Sequence, residues 1–383
     1  MYVPVFPALP GDRVGRGRTF RALQSIVNGM PRPAEIPPQW VSYHVFHHDA
    51  GDQVLLRLAL PAVRDLWRRR RIVRFFFVRY GLGGPHVRLR LLCAPKHRGE
   101  IDEVVQGHAA ELFARWPSDR RLSDEEIRGR NQHYLAGDTA GGIDAVYPDN
   151  SMIELPFHPE VERYGGPELL DHSLCFFCVS SVYVLRQAEL RVGEPRSRLL
   201  ARGLRALLRQ ALGFAATGEE VSRLVAYAGN GLGPAPLLER ADQEFERGRE
   251  AYGRLLREEV ENALDPAART RITDSLLTEA ARLLRRQIRS APDAVRWRIV
   301  SSQCHMTANR MGLLSPEELY VGRILWRTLQ HVANADPALW SSLESSVREP
   351  GRRRPGGMSA LAAASLQQLV PSTGWKDSWI DGA

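Results

Sequence analysis

The chain has 383 residues, and 44% of them are apolar, so it is long enough and apolar enough to bury an ordinary globular core. Lys and Arg number 52 against 44 Asp and Glu, and the net charge of +8 is carried mostly by arginine, which is suited to carboxylate and phosphate ligands. Neither a signal peptide nor a run of ~20 apolar residues is evident, and the four cysteines lie among apolar neighbours, so we expect a soluble cytoplasmic protein with reduced thiols and no membrane contact.

The first part of the chain alternates short strands and helices. Residues 1–38 are rich in Pro, Gly and Arg and predict an arm that leads into a strand at Trp40–Phe46. Further predicted elements are a helix at 52–70, a β-hairpin at 74–92, a helix at 99–115 and a capping box at Ser123–Glu126. Between 130 and 158 the composition turns to Gly, Asp, Asn and Pro, which predicts either a second hairpin, with strands at Val146–Tyr147 and Met152–Leu155, or a long active-site loop.

The hairpin at 74–92 predicts an anion-binding face. Because successive strand residues point to opposite sides, His86, Arg88 and Arg90 share one face while the residues between them are apolar. Two guanidinium groups about 7 Å apart can grip the ends of a small dicarboxylate. The alternative is an antiparallel sheet with one solvent-exposed face, where alternating arginines are common. On the preceding strand Arg79 lies beside aromatic residues, where it either orders this face or extends to water.

From Pro167 onward the pattern is helical. Helical periodicity is found at 168–189, 196–214, 218–228, 236–262, 270–289, 294–311 and 316–333. We therefore predict an α+β fold, with an antiparallel sheet, hairpins and flanking helices in an N-terminal half at 39–166 and a helical bundle at 167–335. The tail at 336–383 is expected to be partly flexible, with one more helix near Leu361–Leu369.

Two further segments carry candidate chemistry. The loop Glu160–Gly166 precedes a helix N-terminus, a place that favours anions, and Arg163 lies in it; the alternative is a surface pair of Glu and Arg. In the predicted helix at 294–311, His305 and Asn309 are one turn apart, so the histidine is a candidate acid or base; the alternative is a histidine with a purely structural role.

The sequence predicts no metal and no cofactor. Cys175 and Cys178 have the spacing of half a zinc site, but no second pair of Cys or His follows at a matching spacing. Phosphate-binding glycine loops, Gly-x-Ser-x-Gly elbows and His-Glu-x-x-His motifs are also missing from the sequence.

Five segments, in this order, carry a family resemblance. They are Trp40, Phe-Phe-x-Arg-Tyr at 76–80, Pro-His-x-Arg-Leu-Arg at 85–90, Glu-Arg-Tyr-Gly-Gly at 162–166 and His-Met-x-x-Asn-Arg at 305–310. Together they resemble the C-terminal domain of lantibiotic dehydratases, which also occurs as a free-standing protein in thiopeptide clusters. The resemblance extends over roughly 40–335 and leaves the arm and the tail unexplained.

The resemblance implies elimination of glutamate from glutamylated Ser or Thr in a precursor peptide, giving dehydroalanine or dehydrobutyrine. It implies that Arg88, Arg90 and Arg163 hold the glutamyl group and the developing charge. It also implies that His305 moves the proton, as base or as acid. Further substrate contacts are expected from Arg79, His86, Tyr164 and Asn309. The implied partners are the leader and core of the precursor peptide and a separate glutamylating dehydratase, which consumes glutamyl-tRNA, so no direct binding of nucleic acid is expected.

Two other functions remain open on the sequence. A related branch of this family forms the pyridine core of thiopeptides by a formal [4+2] cycloaddition of two dehydroalanines and expels the leader peptide. Such enzymes have no glutamate to bind, so the set Arg88, Arg90, Arg163 and His305 favours elimination, whereas the arm and the 130–158 segment favour a specialised branch. The third possibility is a non-catalytic partner that docks the precursor peptide. Loss of these arginines and of His305 would have favoured it, but they are present.

Overall fold

Four antiparallel strands form a small sheet in the N-terminal half. The computed structural model describes residues 38–49, 51–135, 145–188, 193–229, 233–265, 272–348 and 357–369. Within these ranges the sheet has the order β2-β3-β1-β4. Its strands are β1 (Gln39–Phe46), β2 (Arg74–Tyr80), β3 (His86–Cys93) and β4 (Ser151–Glu154). The predicted first strand and the hairpin are therefore confirmed.

Helices flank the sheet in the same half. The first, α1, has three segments: Asp52–Val54, a π-helical turn at Leu55–Ala59, and Leu60–Arg68. It is followed by α2 (Arg98–Arg115) and α3 (Asp124–Leu135). The capping box before α3 is present, because Ser123 and Glu126 each accept a hydrogen bond from the other's backbone N–H (3.2 and 2.8 Å).

The second half is built from helices whose bounds follow the apolar periodicity closely. They are α4 (Pro167–Ala188), α5 (Arg196–Phe214), α6 (Gly218–Gly229), α7 (Ala235–Leu264), α8 (Ile272–Ile288), α9 (Asp293–Met311), α10 (Ser315–Ala335), α11 (Pro337–Val347) and α12 (Met358–Leu366). The predicted α+β class, with an antiparallel sheet and a helical second half, is confirmed. The last two helices lie in the segment that the sequence assigns to the tail. The predicted arm up to residue 37, the loop residues 136–144 and the tail residues 349–356 and 370–383 lie outside the described residues.

Two segments of the first half show details that the sequence did not predict. Among the described residues β4 makes no second hairpin with Val146–Tyr147; it pairs with β1, and the Tyr147 N–H donates to the carbonyl of Gly83 (2.9 Å) in the β2–β3 turn. The predicted helix at 52–70 is present and contains a π-helical turn, because Pro61, at the start of the last segment, has no N–H to continue the α-helical ladder.

The long helix α4 joins the two halves. It packs against β2 on one side and against α8, α9 and α12 on the other. Contrary to the sequence expectation, α4 has the length and apolar character of a membrane span, with a mean hydropathy of 1.4, but 78% of that window is buried inside the fold. A helix that is apolar all round is also what the centre of a large core requires.

Candidate functional site

The arginine face of the sheet lies where the alternation predicts it. Arg88 and Arg90 project from β3 on one side of the sheet, whereas Val87, Leu89 and Leu91 are fully buried on the other. The strand register places Val78 and His44 beside Arg88, and Phe76 and Ser42 beside Arg90. Both cations thus have aromatic or uncharged neighbours within the sheet.

His86 orients Arg88. The Arg88 Nε–H donates to His86 Nε2 (3.1 Å), so the histidine must carry its proton on Nδ1, which donates to the carbonyl of Gly84 (2.8 Å). Burial, and next the Arg88 charge, lower the pKa of His86 to about 3, which keeps the ring neutral. The guanidinium of Arg88 stacks on the Tyr80 ring at 3.5 Å. Both nitrogens of His86 are therefore engaged, and the structure places it beneath Arg88 rather than at a ligand surface.

Arg90 is a cation held between aromatic rings. Its guanidinium lies 4.3 Å from the Phe157 ring centre and 5.2 Å from that of Phe76. Its Nε is buried and has no hydrogen-bond partner among the described residues. Burial, followed by the charges of Arg88 and Arg310, lowers the pKa of Arg90 to about 9, which still leaves it charged at neutral pH. A buried charged donor without a partner is costly, and an anionic ligand would satisfy it.

Arg310 is a second buried cation, one that the sequence did not single out. It is fully buried, with its guanidinium 4.3 Å from the Phe177 ring centre. One Nη donates to the carbonyl of Met306 (2.9 Å), but Nε and the other Nη have no partner among the described residues. Burial lowers the pKa of Arg310 to about 9. Two aromatic rings lie between Arg90 and Arg310. The ring of Phe76 is next to Arg90, the ring of Phe177 is next to Arg310, and their centres are 5.4 Å apart.

Tyr164 anchors the loop that borders both cations. Its buried hydroxyl hydrogen-bonds Ser302 on α9 (2.8 Å), and its ring packs edge-on against Phe177. Burial raises the pKa of Tyr164, so the phenol is neutral. Arg298 of α9 also donates to the loop carbonyls of Arg163 (3.0 Å) and Glu162 (3.1 Å). The loop is thus clamped to α9, and Tyr164 has a structural partner of its own.

Arg163 lines a cleft beside this loop. The surface pair that the sequence left open is present, since Arg163 donates to Glu160 (3.1 Å) and its side chain is 44% exposed. The cleft has a volume of about 370 Å³ and is lined by Arg163, Leu224, Tyr227, Trp297, Ser301, Ser302, Cys304, His305, Ser315, Glu318 and Leu319. Phe157, which lies on Arg90, precedes this loop in the same connection between β4 and α4, so the connection borders both the arginine face and the cleft.

His305 is the titratable group of the cleft. Its Nδ1 lies 2.8 Å from a carboxylate oxygen of Glu318 in the first turn of α10, and its side chain is 48% exposed. The hydrogen bond with Glu318 raises the pKa of His305 and outweighs the lowering by burial. With Nδ1–H donated to Glu318, Nε2 is the nitrogen left to exchange a proton. No local sequence pattern pairs these two residues, since they lie on different helices.

We expect Glu318→Gln to lower the pKa of His305, because the substitution removes the negative charge that stabilises the imidazolium. The measurement is an NMR titration of the His305 ring signals in both proteins. The other histidine signals serve as an internal control and should titrate as before. An unchanged His305 midpoint would mean that the pair does not form in solution.

Arg79 and Asn309 lie outside the cleft. The Asn309 amide accepts from the Arg79 N–H and donates to the Arg79 carbonyl, both at 2.9 Å. The Arg79 side chain donates to the carbonyl of Arg310 (3.1 Å) and pairs with Asp52. Both residues therefore join β2 to the end of α9 and are not among the described residues that line the cleft, so the substrate contacts expected of them stay a prediction.

Asn309→Ala is expected to lower the free energy of unfolding by about 1–3 kcal/mol, because it leaves the N–H and carbonyl of Arg79 without their partner. Chemical denaturation measures the difference. Asn334→Ala, at an exposed position of α10, is the matched control and should change stability by less than about 0.5 kcal/mol. Equal stability of the two variants would remove Asn309 from its joining role.

The chain and its fold are similar to known proteins. The family model described as lantibiotic biosynthesis dehydratase C-term matches residues 40–329. The fold is similar to the pyridine synthase TbtD from thiomuracin biosynthesis (TM-score 0.59, 18% identity, 77% of this chain and 98% of that chain). It is also similar to the tRNA-dependent lantibiotic dehydratase MibB from Microbispora sp. 107891 (TM-score 0.51, 18% identity, 80% of this chain), of which the chain spans 29%. A third similar structure is TsrL (TM-score 0.50, 15% identity, 82% of this chain and 100% of that chain). No curated protein matches the chain.

Proposed function

Because the chain belongs to the lantibiotic dehydratase C-terminal family, we propose that it eliminates glutamate from glutamylated Ser or Thr residues of a precursor peptide. One observation carries the proposal. Two buried guanidinium groups, those of Arg90 and Arg310, have nitrogens that find no partner among the described residues, and both groups lie close to a connection that also borders the His305–Glu318 cleft. An anion-binding face next to an acid–base pair is what this elimination requires.

The reaction breaks two bonds of the glutamylated residue. A base removes the Cα proton, the electron pair of that bond forms the Cα=Cβ double bond, and the Cβ–O ester bond breaks with its electrons on oxygen. The products are a dehydroamino acid in the peptide and free glutamate, and no oxidant, reductant or cofactor enters the balance. Negative charge develops first on the enolate and then on the departing carboxylate. Cations placed at both positions lower the barrier.

We assign the removal of the Cα proton to His305, acting as the base. Glutamate leaves as a carboxylate, whose conjugate acid has a pKa of about 4, so it needs no proton to depart. The Cα proton is weakly acidic, so its removal needs a positioned base. The Glu318 carboxylate strengthens this base by raising the pKa of His305. In this proposal Arg88 and Arg90 hold the glutamyl group, and Arg163 faces the developing charge in the cleft.

The substrate and partners follow from the same chemistry. The peptide has to reach the enzyme already glutamylated, so a separate glutamylating protein is the expected partner and would itself use glutamyl-tRNA. We expect the protein to work in the cytoplasm, where peptide and partner are made. Tyr164 holds the loop against α9, and His86 orients Arg88. Arg79 and Asn309 join β2 to the end of α9.

The second candidate is pyridine formation from two dehydroalanines. The observation in its favour is the fold similarity to the pyridine synthase TbtD, which extends over 98% of that chain. At 18% identity that similarity concerns the fold alone. Two dehydroalanines are uncharged and cannot pair with the buried cations Arg90 and Arg310. We therefore prefer elimination. A docking partner without activity would not need the His305–Glu318 pair.

The test offers the purified protein a glutamylated precursor peptide and, separately, a dehydroalanine-containing peptide, and follows both by mass spectrometry. Elimination predicts loss of glutamate from the first peptide, with the leader still attached and the second peptide unchanged. Release of the leader from the second peptide would replace the proposal with pyridine formation. No change in either peptide would leave the docking role.

A further inference from the structure

A second cleft opens beside the first, between the end of α5 and helices α6, α8 and α9. Its volume is about 320 Å³. Its apolar lining consists of Phe214, Ala215, Ala216, Leu224, Ile288, Trp297, Val300 and Val347, and its charged lining of Glu220, Arg285, Arg286, Arg289 and Arg296. The cleft thus combines an apolar floor with a strongly basic rim.

The charge of the rim is not balanced within the cleft. Among the described residues its one acidic lining residue is Glu220, which already accepts a hydrogen bond from the N–H of Ala216 (2.7 Å). Arg285 donates to the carbonyl of Ala215, and Arg296 pairs with Asp293. For Arg286 and Arg289 no acidic partner lies in the part of the chain that the structure describes. These two cations are therefore available to a negatively charged ligand.

The two clefts form one surface. Leu224 and Trp297 line both the arginine-rimmed cleft and the His305 cleft. Trp297 lies between them and is itself covered on one side by the guanidinium of Arg223, 4.6 Å from the ring centre. A chain bound at His305 can therefore continue across Trp297 into the basic cleft without leaving the protein surface.

We infer that the arginine-rimmed cleft binds an acidic stretch of the same peptide whose Ser or Thr residue is processed at His305. The inference rests on the proposed function for the identity of the ligand as a peptide. The basic rim complements Asp and Glu side chains, and the floor takes their apolar neighbours, such as Leu. A nucleic acid is disfavoured because the floor is mostly aliphatic, whereas single-stranded nucleic acids are held by stacking on aromatic rings.

Binding is tested on the full chain with a fluorescein-labelled peptide of alternating Glu and Leu, followed by fluorescence anisotropy. A peptide with Gln in place of Glu is the ligand control. The double variant Arg286→Glu/Arg289→Glu is compared with Arg247→Glu/Arg254→Glu, which reverses the same number of charges at exposed positions of α7, with side chains 73% and 72% exposed. We expect the acidic peptide to bind about tenfold or more weakly to the first variant and unchanged to the second.

The inference is overturned if both double variants bind the acidic peptide equally, or if the Gln peptide binds as well as the Glu peptide. It is also overturned if an unrelated tRNA binds through Arg286 and Arg289 while the acidic peptide does not bind. The charge-neutral variant Arg286→Gln/Arg289→Gln should also weaken binding of the acidic peptide. It replaces the charge-reversed variant if that protein does not fold, and thermal unfolding is the measurement of folding for both.

Failure of the proposed function gives a different result from failure of this inference. A protein that binds the acidic peptide through the cleft but releases no glutamate from a glutamylated peptide refutes the elimination and leaves the cleft assignment intact. A protein that releases glutamate, but with the same KM in the Arg286→Glu/Arg289→Glu variant, refutes the cleft assignment and leaves the elimination intact.

Discussion

His305→Gln is expected to lower kcat for glutamate release by a factor of about 10² to 10⁴, the usual contribution of a positioned general base. Glutamine still offers a side-chain amide that can donate to Glu318, but it cannot take a proton at neutral pH. KM should change much less than kcat, because the arginine face that we propose holds the glutamyl group is untouched. Glutamylated peptide should accumulate, as followed by mass spectrometry.

The control is His108→Gln on α2. That helix lies against the opposite face of the sheet, where Asp102 accepts a hydrogen bond from Tyr43, so its histidine cannot reach the cleft. Turnover by this variant should match the unmodified protein. If His305→Gln also turned over at the unmodified rate, the proton would have to move through another group and the assignment of His305 would be withdrawn.

Arg90→Met is expected to separate activity from stability. Loss of the buried cation should lower kcat/KM for the glutamylated peptide by roughly 30-fold to several thousand-fold, corresponding to about 2–5 kcal/mol for truncating a desolvated charge pair. The ligand-free protein should at the same time unfold at a higher temperature. Methionine fills a similar space between Phe76 and Phe157 without burying an unpaired charge.

Two variants complete this experiment. Arg90→Lys keeps the charge but not the planar fork and should recover part of the lost kcat/KM. Arg128→Met, at a side chain 53% exposed on α3, removes the same charge from the surface and should change neither property. A less stable Arg90→Met protein with unchanged kcat/KM would make Arg90 a structural residue and contradict its assignment to the glutamyl group.

The sequence predicted the backbone of the site better than its contacts. Strand alternation was enough to place Arg88 and Arg90 on one face, because a side chain's face depends only on its parity along the strand. Helical periodicity likewise gave the bounds of the second half within a few residues. Whether an arginine on that face meets water or aromatic rings depends on segments far away in sequence, such as Phe157, and the hairpin alone cannot reveal it.

Long-range pairs were beyond the sequence for the same reason. Glu318 pairs with His305 across two helices, and nothing in its local pattern marks it as more than a residue of a helix first turn. Arg310 belongs to the motif that contains His305, but five residues turn a helix by about 500°, so it points away from His305 and into the core. Asn309 was placed on the face of His305 by spacing, whereas its amide is taken by the backbone of Arg79.

The most direct test of the central claim is the molar ratio of the two products formed from a glutamylated precursor peptide. Elimination at His305 predicts free glutamate and dehydroalanine-containing peptide in equal amounts, both lost together in His305→Gln. Free glutamate accompanied by regenerated serine would identify ester hydrolysis instead. That result, or the absence of free glutamate altogether, would contradict the elimination.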